Sequence, residues 1–224
     1  MNITKLSFII TMLLAVALVL SGCKNWSKTA TGATIGTGAG AAAGAVIGKT
    51  LGNTAAGAIA GAVVGGTAGA IIGNNMDKKA KEMEEEMDGA IVQRVEEGIA
   101  VSFDSGILFD FDSSTLRREG NNNLQKLVRI INSDDDTTLM IVGHTDSRGD
   151  EDYNMRLSER RAQSARTYMI AQGLSSSKIQ IVGRGELEPI SENETDAGRQ
   201  KNRRVEVAIF ASSDYVNRVQ SEIR

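Results

Sequence analysis

The stretch GHTDSRGDEDYNMRLSERRA at Gly143–Ala162 decides the fold of the centre of this chain. The apolar run 139–142 comes directly before it, and an apolar run that stops at a glycine is typical of a buried strand. Residues 153–172 contain few helix breakers and repeat apolar side chains at close to helical spacing, which predicts a helix that ends at Gly173. The sequence therefore predicts a strand, a polar loop and a helix in succession.

This predicted unit carries an acid and a base that can face each other. Asp146 follows the end of the strand, whereas Arg161 shares one side of the helix with Asn154, because seven residues are about two helical turns. Arg160 is turned about 100° away from that side. The ammonium and carboxylate of an amino acid are best met by a carboxylate and a guanidinium, whose planar fork binds two oxygens. The pair therefore indicates binding of a zwitterion without bond chemistry.

Four motifs in order give this chain its family resemblance. Besides the stretch above, they are ILFDFDSSTLRREG (Ile107–Gly120), GRGELEPI (Gly183–Ile190) and GRQKNRRVEVAI (Gly198–Ile209). Together they resemble the OmpA-like peptidoglycan-binding domain of outer-membrane protein A, the peptidoglycan-associated lipoprotein and flagellar stator proteins. The resemblance covers about residues 98–211, and the fold class expected is α+β, with two main helices packed on a mixed β-sheet.

The resemblance also implies a ligand and the residues that bind it. In that family, an aspartate and an arginine at the positions of Asp146 and Arg161 hold the zwitterionic end of diaminopimelate in the peptidoglycan stem peptide. Supporting contacts are implied for Thr145, Asn154 and Arg203. No catalytic residue is expected, because the site suggests neither a nucleophile with a general base nor paired carboxylates. The chain is therefore interpreted as a binding protein and not as an enzyme.

Both charged residues also have ordinary structural interpretations. Asp146 could cap a loop or the next helix, as aspartates near turns commonly do. Arg161 could be a surface arginine paired with Glu159 or Asp152, which would contribute only about 0 to 1 kcal/mol. Arg160 suits that surface role better.

Composition excludes several other classes of function. The formal net charge is −3, and it falls by one unit if Lys5 leaves with a signal peptide, so there is no electrostatic case for nucleic-acid binding. His144 is the only histidine and has no cysteine nearby, so a structural hydrogen bond is expected there instead of a metal site. No metal or other cofactor is predicted.

Apolar patterning predicts the remaining core elements. Strands are expected at 179–182 and 205–210, and a first helix, capped near Asp112 or Ser113, is expected to bury one apolar side. The core residues predicted on this helix are Leu116, Leu124, Leu127, Val128 and Ile131.

The N-terminus has the pattern of a bacterial secretory signal. Lys5 precedes an apolar stretch, Leu6–Leu20, and Leu20–Cys23 resembles a lipobox, after which signal peptidase cuts and the cysteine is acylated. Cys23 is the only cysteine and cannot form an internal disulfide, so lipidation explains it better than a free thiol. Residue 24, directly after this cysteine, is a lysine. In lipoproteins an aspartate at that position typically signals retention in the inner membrane, so the lysine favours transport to the outer membrane. Outer-membrane lipid, bound through acylated Cys23, is therefore an expected partner.

Glycines recur every four residues in two runs, at 32–52 and 57–73. Glycine disfavours an isolated helix by about 1 kcal/mol relative to alanine, so this spacing indicates close helix contact, as in GxxxG faces. The spacing slips at Asn53–Thr54, which predicts a turn between two antiparallel helices, Ala30–Gly52 and Thr54–Gly73. The segment resembles glycine-zipper domains, and it could pair with copies of itself to form a homo-oligomer.

The length of each predicted arm is close to that of a membrane span. At about 1.5 Å per residue each arm reaches about 30 to 35 Å, near the thickness of a bilayer core. Alanine, glycine and threonine are only weakly apolar, and a flexible Gly/Ala tether is the alternative.

The segments on either side of the binding domain are predominantly polar. Residues 76–97 are predicted to form a charged stalk with a narrow apolar stripe at Met83, Met87 and Ile91. The predicted segments are a lipoprotein signal peptide (1–22), a lipidated N-terminus and linker (23–30), a glycine-zipper helical hairpin (31–75), a charged stalk (76–97), the peptidoglycan-binding domain (98–211) and a polar tail (212–224).

Two functions are compatible with this organisation, which resembles that of an outer-membrane lipoprotein of the YiaD type. The first is a lipid-anchored protein that binds peptidoglycan non-covalently and tethers the outer membrane to the wall, with its binding domain in the periplasm. The second is a membrane-inserting or oligomerising assembly or stress protein whose wall-binding domain serves only as an anchor.

Overall fold

A computed structural model describes residues 53–110, 112–132 and 136–223. The predicted signal peptide, Cys23 with its linker, and the first glycine-rich arm lie outside these ranges. The helices of the described part are α1 (Thr54–Gly61), α2 (Gly66–Glu86), α3 (Ser105–Leu108), α4 (Arg118–Ile131), α5 (Glu151–Ala171), α6 (Asp196–Asn202) and α7 (Ser213–Glu222). The strands are β1 (Ala90–Val95), β2 (Gly98–Asp104), β3 (Thr137–Gly143), β4 (Ile179–Gly183) and β5 (Arg204–Ala211).

The five strands form one mixed sheet in the order β1-β2-β5-β3-β4. Strands β3 and β4 are parallel and are connected through α5, whereas the other neighbours are antiparallel. Helices α4 and α5 pack on one face of the sheet, together with α2 and α7. The predicted α+β class, with two main helices on a mixed sheet, is confirmed.

The first main helix starts later than predicted. It begins at Arg118, because the residues before it form a compact loop that a β-bridge closes between Phe109 and Leu116. The backbone N–H of Arg117 also donates to the carbonyl of Leu108 at 2.8 Å. The proposed cap at Asp112 or Ser113 is therefore wrong, and this loop contributes to the binding site described below.

The predicted charged stalk at 76–97 is instead part of the folded domain. Helix α2 continues to Glu86 with Met76, Met83 and Met87 buried, and β1 then pairs with β2 as the edge strand of the sheet. The apolar side of this helix starts before the charged region, so the stripe visible within 76–97 is only its second half. Ile91, by contrast, is exposed on β1.

The second glycine-rich arm is not one helix. It breaks between Gly61 and Gly66, where Glu97 accepts hydrogen bonds from the amides of Val64 at 2.7 Å and Gly65 at 2.8 Å. The two parts lie on opposite faces of the sheet. In the part of the chain that the structure describes, no helix has the length and apolar character that crossing a membrane requires.

The small side chains of α1 allow it to pack directly on the sheet. Its residues Ala55, Ala58 and Ile59 contact the cluster that contains Met140 and Phe210. A Cβ added at Gly98 would lie 2.5 Å from the side chain of Ile59, so the glycine is needed for this close approach. The residues of α1 that pack on the sheet are alanines and Ile59, not the glycines. The first glycine-rich arm lies outside the described residues, so the predicted helix-to-helix contact stays a prediction.

A buried polar network fixes the start of α1. The carboxylate of Glu188 accepts hydrogen bonds from the Thr54 amide at 3.1 Å and from the Thr54 hydroxyl at 2.5 Å. The same hydroxyl accepts from Arg184 Nε at 2.7 Å. A carboxylate at a helix N-terminus is stabilised by the free backbone N–H groups and by the helix dipole.

The predicted polar tail at 212–224 contains a further helix. It forms α7, which buries Tyr215, Val216 and Val219 and begins at a cap in which Ser212 Oγ accepts from the Tyr215 amide at 3.2 Å. Arg218 forms an ion pair with Asp136. The apolar residues share one side of the helix. The helix is too short for this periodicity to stand out in the sequence.

Candidate ligand-binding site

A hollow of about 260 Å³ lies beyond the C-terminal end of β3. It is bounded by the loop before α4, the first half of α5 and the residues around α6. All five residues that the sequence predicted for ligand binding line it: Thr145, Asp146, Asn154, Arg161 and Arg203.

Two glycines allow the backbone segments around this hollow to come close together. A Cβ at Gly143 would lie 2.1 Å from the carbonyl oxygen of Ser158, so only glycine lets the end of β3 lie against α5. Gly185 has a φ of +52°, and its carbonyl accepts from the Thr145 amide at 2.8 Å. These contacts fix the loop that carries Asp146 relative to the helix that carries Arg161.

Asp146 is 5% exposed, and its carboxylate is held by arginines. Oδ1 accepts from the Arg148 amide at 3.0 Å, and Oδ2 accepts from Arg148 Nε at 3.3 Å and Nη2 at 3.2 Å. Arg203 also donates to Oδ2. Burial would raise the pKa of Asp146, but these hydrogen bonds outweigh it and lower the pKa below its ordinary value. Asp146 is therefore ionised, and it also closes its own loop, as the ordinary structural interpretation proposed.

Arg161 is only 3% exposed, which contradicts its interpretation as a surface arginine. Its Nε donates to the Ser113 carbonyl at 3.0 Å, and its guanidinium lies 5.5 Å from the centre of the Phe109 ring. Burial lowers the pKa of Arg161, yet arginine stays charged in proteins. Arg160 is exposed, as predicted. Within the described ranges, Nε is the only atom of the Arg161 guanidinium that has a hydrogen-bond partner.

The three supporting residues differ in what they can offer a ligand. The Thr145 hydroxyl is buried and finds no hydrogen-bond partner among the residues described. The Asn154 amide nitrogen lies 3.1 Å from the Arg148 carbonyl and 2.7 Å from Glu186 Oε2, so it ties the loop to its surroundings. Arg203 donates to Asp146 and to Gln200. The Thr145 hydroxyl is thus unused by the described residues, whereas Asn154 and Arg203 position other groups.

The sequence did not single out several residues that line the hollow. Arg148, Phe109, Tyr153 and Asp112 are the most prominent, and Tyr153 donates its hydroxyl hydrogen to Asp112. Arg148 stands two residues after Asp146 in the stretch first quoted. This short separation could have indicated from the sequence that the two side chains pair. The role of Phe109 depends on a loop whose course the sequence did not predict.

His144 lies outside this hollow, in a buried group with Arg204 and Glu206. Its backbone N–H donates to the Arg204 carbonyl at 2.9 Å, but Nε2 is 3.8 Å from Glu206 Oε2, beyond hydrogen-bond distance. The predicted hydrogen bond of the ring is therefore not made. Burial lowers the pKa of His144, which favours the neutral imidazole. The described residues contain no cluster of histidine, cysteine and acidic side chains that could hold a metal ion.

Glu206 makes the stability of the fold depend on pH. Burial would raise its pKa, but interaction with His144 and the 2.7 Å contact with Arg204 lower it from 4.5 to about 2. A carboxyl group whose pKa is lower in the folded than in the unfolded state stabilises the fold at pH values above its unfolded pKa. That contribution is lost as the pH falls towards the folded pKa. We expect the free energy of unfolding to fall by about 3 kcal/mol between pH 4.5 and pH 2.

Urea unfolding across this pH range measures the effect. The Glu206→Gln variant should be less stable at neutral pH, because the buried Arg204 loses its ion-pair partner, and it should show a flatter pH profile. A variant profile as steep as that of the wild type would assign the acid sensitivity to other groups.

Comparison with known proteins matches this chain to two family models. The OmpA family model matches residues 108–203, and the YMGG-like Gly-zipper model matches residues 1–77. The outer-membrane lipoprotein YfiB of Pseudomonas aeruginosa is 36% identical over 52% of this chain and 69% of its own length. The chain belongs to the OmpA family.

Two further relatives match this OmpA-family chain over somewhat less of their length. Outer membrane protein A of Bordetella avium is 45% identical over 50% of the chain, and the probable lipoprotein YiaD of Escherichia coli is 34% identical over 61%. The chain spans 58% and 64% of the lengths of these two relatives.

Solved structures support the same fold. A MotB-like protein from Desulfovibrio vulgaris superimposes with a TM-score of 0.58 at 21% identity, over 64% of this chain and 96% of that one. The cell wall anchor of the T6SS from Pseudomonas aeruginosa superimposes with a TM-score of 0.53 at 25% identity, over 61% and 97%. The OmpA-like sheet with its helices is thus shared well beyond close relatives.

Proposed function

We propose that the hollow binds the zwitterionic end of diaminopimelate in the peptidoglycan stem peptide. Asp146 would take the ammonium and Arg161 the carboxylate. The observation that carries this proposal is that two buried, opposite charges line one hollow, and that the terminal nitrogens of Arg161 point to no partner within the described chain. At about 260 Å³ the hollow is near the lower end of ligand pockets, which suits an amino-acid head better than a whole muropeptide.

The supporting residues divide the work in this proposal. The Thr145 hydroxyl contacts the ligand and Arg203 orients the Asp146 carboxylate. Asn154 holds the loop that carries Asp146 and Arg148. A planar guanidinium can bind both oxygens of the ligand carboxylate at once. The interaction is binding only, and we propose no bond-breaking step and no cofactor.

We propose further that the chain tethers the outer membrane to the wall. Two relatives are lipoproteins by name, one of them an outer-membrane lipoprotein, and one structural neighbour is a cell wall anchor. Acylated Cys23 would hold the chain in the outer membrane, since several acyl chains give stable anchoring whereas one chain binds only marginally. The binding domain would then face the periplasm.

The packing of α1 and α2 bears on the alternative, a membrane-inserting or oligomerising protein. Both helices cover faces of the sheet, so residues 54–86 belong to the wall-binding domain and connect it to the segment that leads to the anchor. Deleting 31–75 would strip the sheet of α1 and half of α2, and it therefore cannot separate membrane action from wall binding.

A single substitution at the anchor separates the two functions. The lipidated full-length chain, reconstituted in phospholipid vesicles, should carry those vesicles down with purified sacculi in the centrifuge. Cys23→Ser should still bind sacculi but leave the vesicles in the supernatant. If the Cys23→Ser chain still brings vesicles down, the glycine-rich segment itself holds the membrane and the alternative is correct.

A further inference from the structure

The carboxylate that we assign to the ligand ammonium is already occupied. Besides the Arg148 amide on Oδ1, Asp146 receives side-chain hydrogen bonds from Arg148 and from Arg203 on Oδ2. A ligand ammonium needs a charged oxygen with room beside it. Because both guanidinium groups donate to Oδ2, one of them must move before the ammonium can pair with that oxygen.

The two arginines are not equally easy to move. The Arg203 side chain is 22% exposed and is also held by Gln200, whereas the Arg148 side chain is 54% exposed. Across the described ranges, the Arg148 guanidinium has hydrogen bonds to Asp146 alone. An exposed ion pair is worth only about 0 to 1 kcal/mol, because water replaces most of it. Displacing Arg148 therefore costs a ligand less free energy than displacing Arg203.

We propose that the Arg148 side chain occupies the ammonium position of the empty site and competes with the ligand for Asp146. This inference rests on the proposed function of the same site. The backbone N–H of Arg148 keeps its bond to Oδ1 when the side chain leaves, so the loop stays in place.

This competition makes the site selective for a zwitterion. A simple amine that displaces Arg148 only exchanges one cation for another at Asp146, so it gains little. A zwitterion makes the same exchange and adds a new ion pair between its carboxylate and Arg161. Selection against amines thus comes from a group within the protein that already satisfies the acid.

The test compares Arg148→Met, which removes the charge and keeps the length, with Arg148→Lys, which keeps the charge. The probe is free meso-diaminopimelate, whose net charge is zero at neutral pH, so loss of an arginine does not change long-range attraction. Arg148→Met should bind it about two- to fivefold more tightly than the wild type, which corresponds to the free energy of an exposed ion pair. Arg148→Lys should lie between the two, and Arg156→Met, at an exposed arginine of α5 outside the hollow, should match the wild type.

A second probe tests selectivity directly. Cadaverine, a diamine without carboxylates, should bind Arg148→Met measurably more tightly than it binds the wild type. Unchanged or weaker binding of meso-diaminopimelate to Arg148→Met overturns the role of Arg148. Asp146→Asn separates this failure from that of the proposed function: loss of binding in that variant keeps the function, and wild-type binding in that variant rejects it.

Discussion

Replacing Asp146 with asparagine is expected to weaken binding to diaminopimelate-type sacculi by about 30- to 5,000-fold. This range corresponds to about 2 to 5 kcal/mol, the usual effect of removing one partner from a buried, hydrogen-bonded charge pair. The substitution keeps the shape of the side chain but leaves the ligand ammonium without an anion. Asp146 is nearly inaccessible to water, so solvent cannot replace the lost charge.

Folding should change little in this variant. Arg148 and Arg203 lose an ion pair, but both side chains reach solvent and can be hydrated. Cosedimentation with sacculi measures binding, and urea unfolding confirms the fold. Asp152→Asn is the matched control, because Asp152 is exposed on α5 and does not line the hollow. Equal binding by the Asp146 and Asp152 variants would remove Asp146 from the site.

Replacing Arg161 with lysine should reduce binding by about 10- to 150-fold, although the charge is kept. The loss corresponds to about 1.5 to 3 kcal/mol for a hydrogen bond to a charged group. Lysine cannot present two parallel N–H donors to a carboxylate. It also loses the contact of the guanidinium with the Phe109 ring and the bond from Nε to the Ser113 carbonyl.

The neighbouring residue supplies a control of the same chemistry. Arg160→Lys changes an exposed arginine on the same helix and should bind sacculi as the wild type does. Since Arg161→Lys also lowers stability, binding is measured well below its unfolding temperature. If both lysine variants bind equally well, a guanidinium at position 161 is not required and the proposed carboxylate contact is wrong.

Much of the candidate site could be predicted from the sequence because it depends on short-range periodicity. The strand end before Gly143 and the helical spacing of Asn154 and Arg161 place three groups in one hollow without any long-range information. The competing interactions could not be predicted in this way. That Arg148 and Arg203 bind Asp146 depends on how a loop turns and on how β5 enters the sheet.

The glycine-rich arm illustrates a different limit. Four-residue glycine spacing indicates close approach of a helix to another backbone, and α1 does pack closely. The alanines of α1, and not its glycines, make that contact with the sheet, and the helix predicted to face the glycines lies outside the described residues. The apolar stripe of α2 was missed for a related reason, since a compositional boundary at Met76 was taken for a structural one.

The most direct measurement of the central claim compares two kinds of wall with the unmodified protein. Sacculi that carry lysine in place of diaminopimelate lack the carboxylate assigned to Arg161, but they keep an ammonium for Asp146. Cosedimentation of the wild-type chain should therefore be strong with diaminopimelate-type sacculi and at least about tenfold weaker with lysine-type sacculi. Equal binding to both would contradict the assignment of Asp146 and Arg161 to the two ends of one zwitterion.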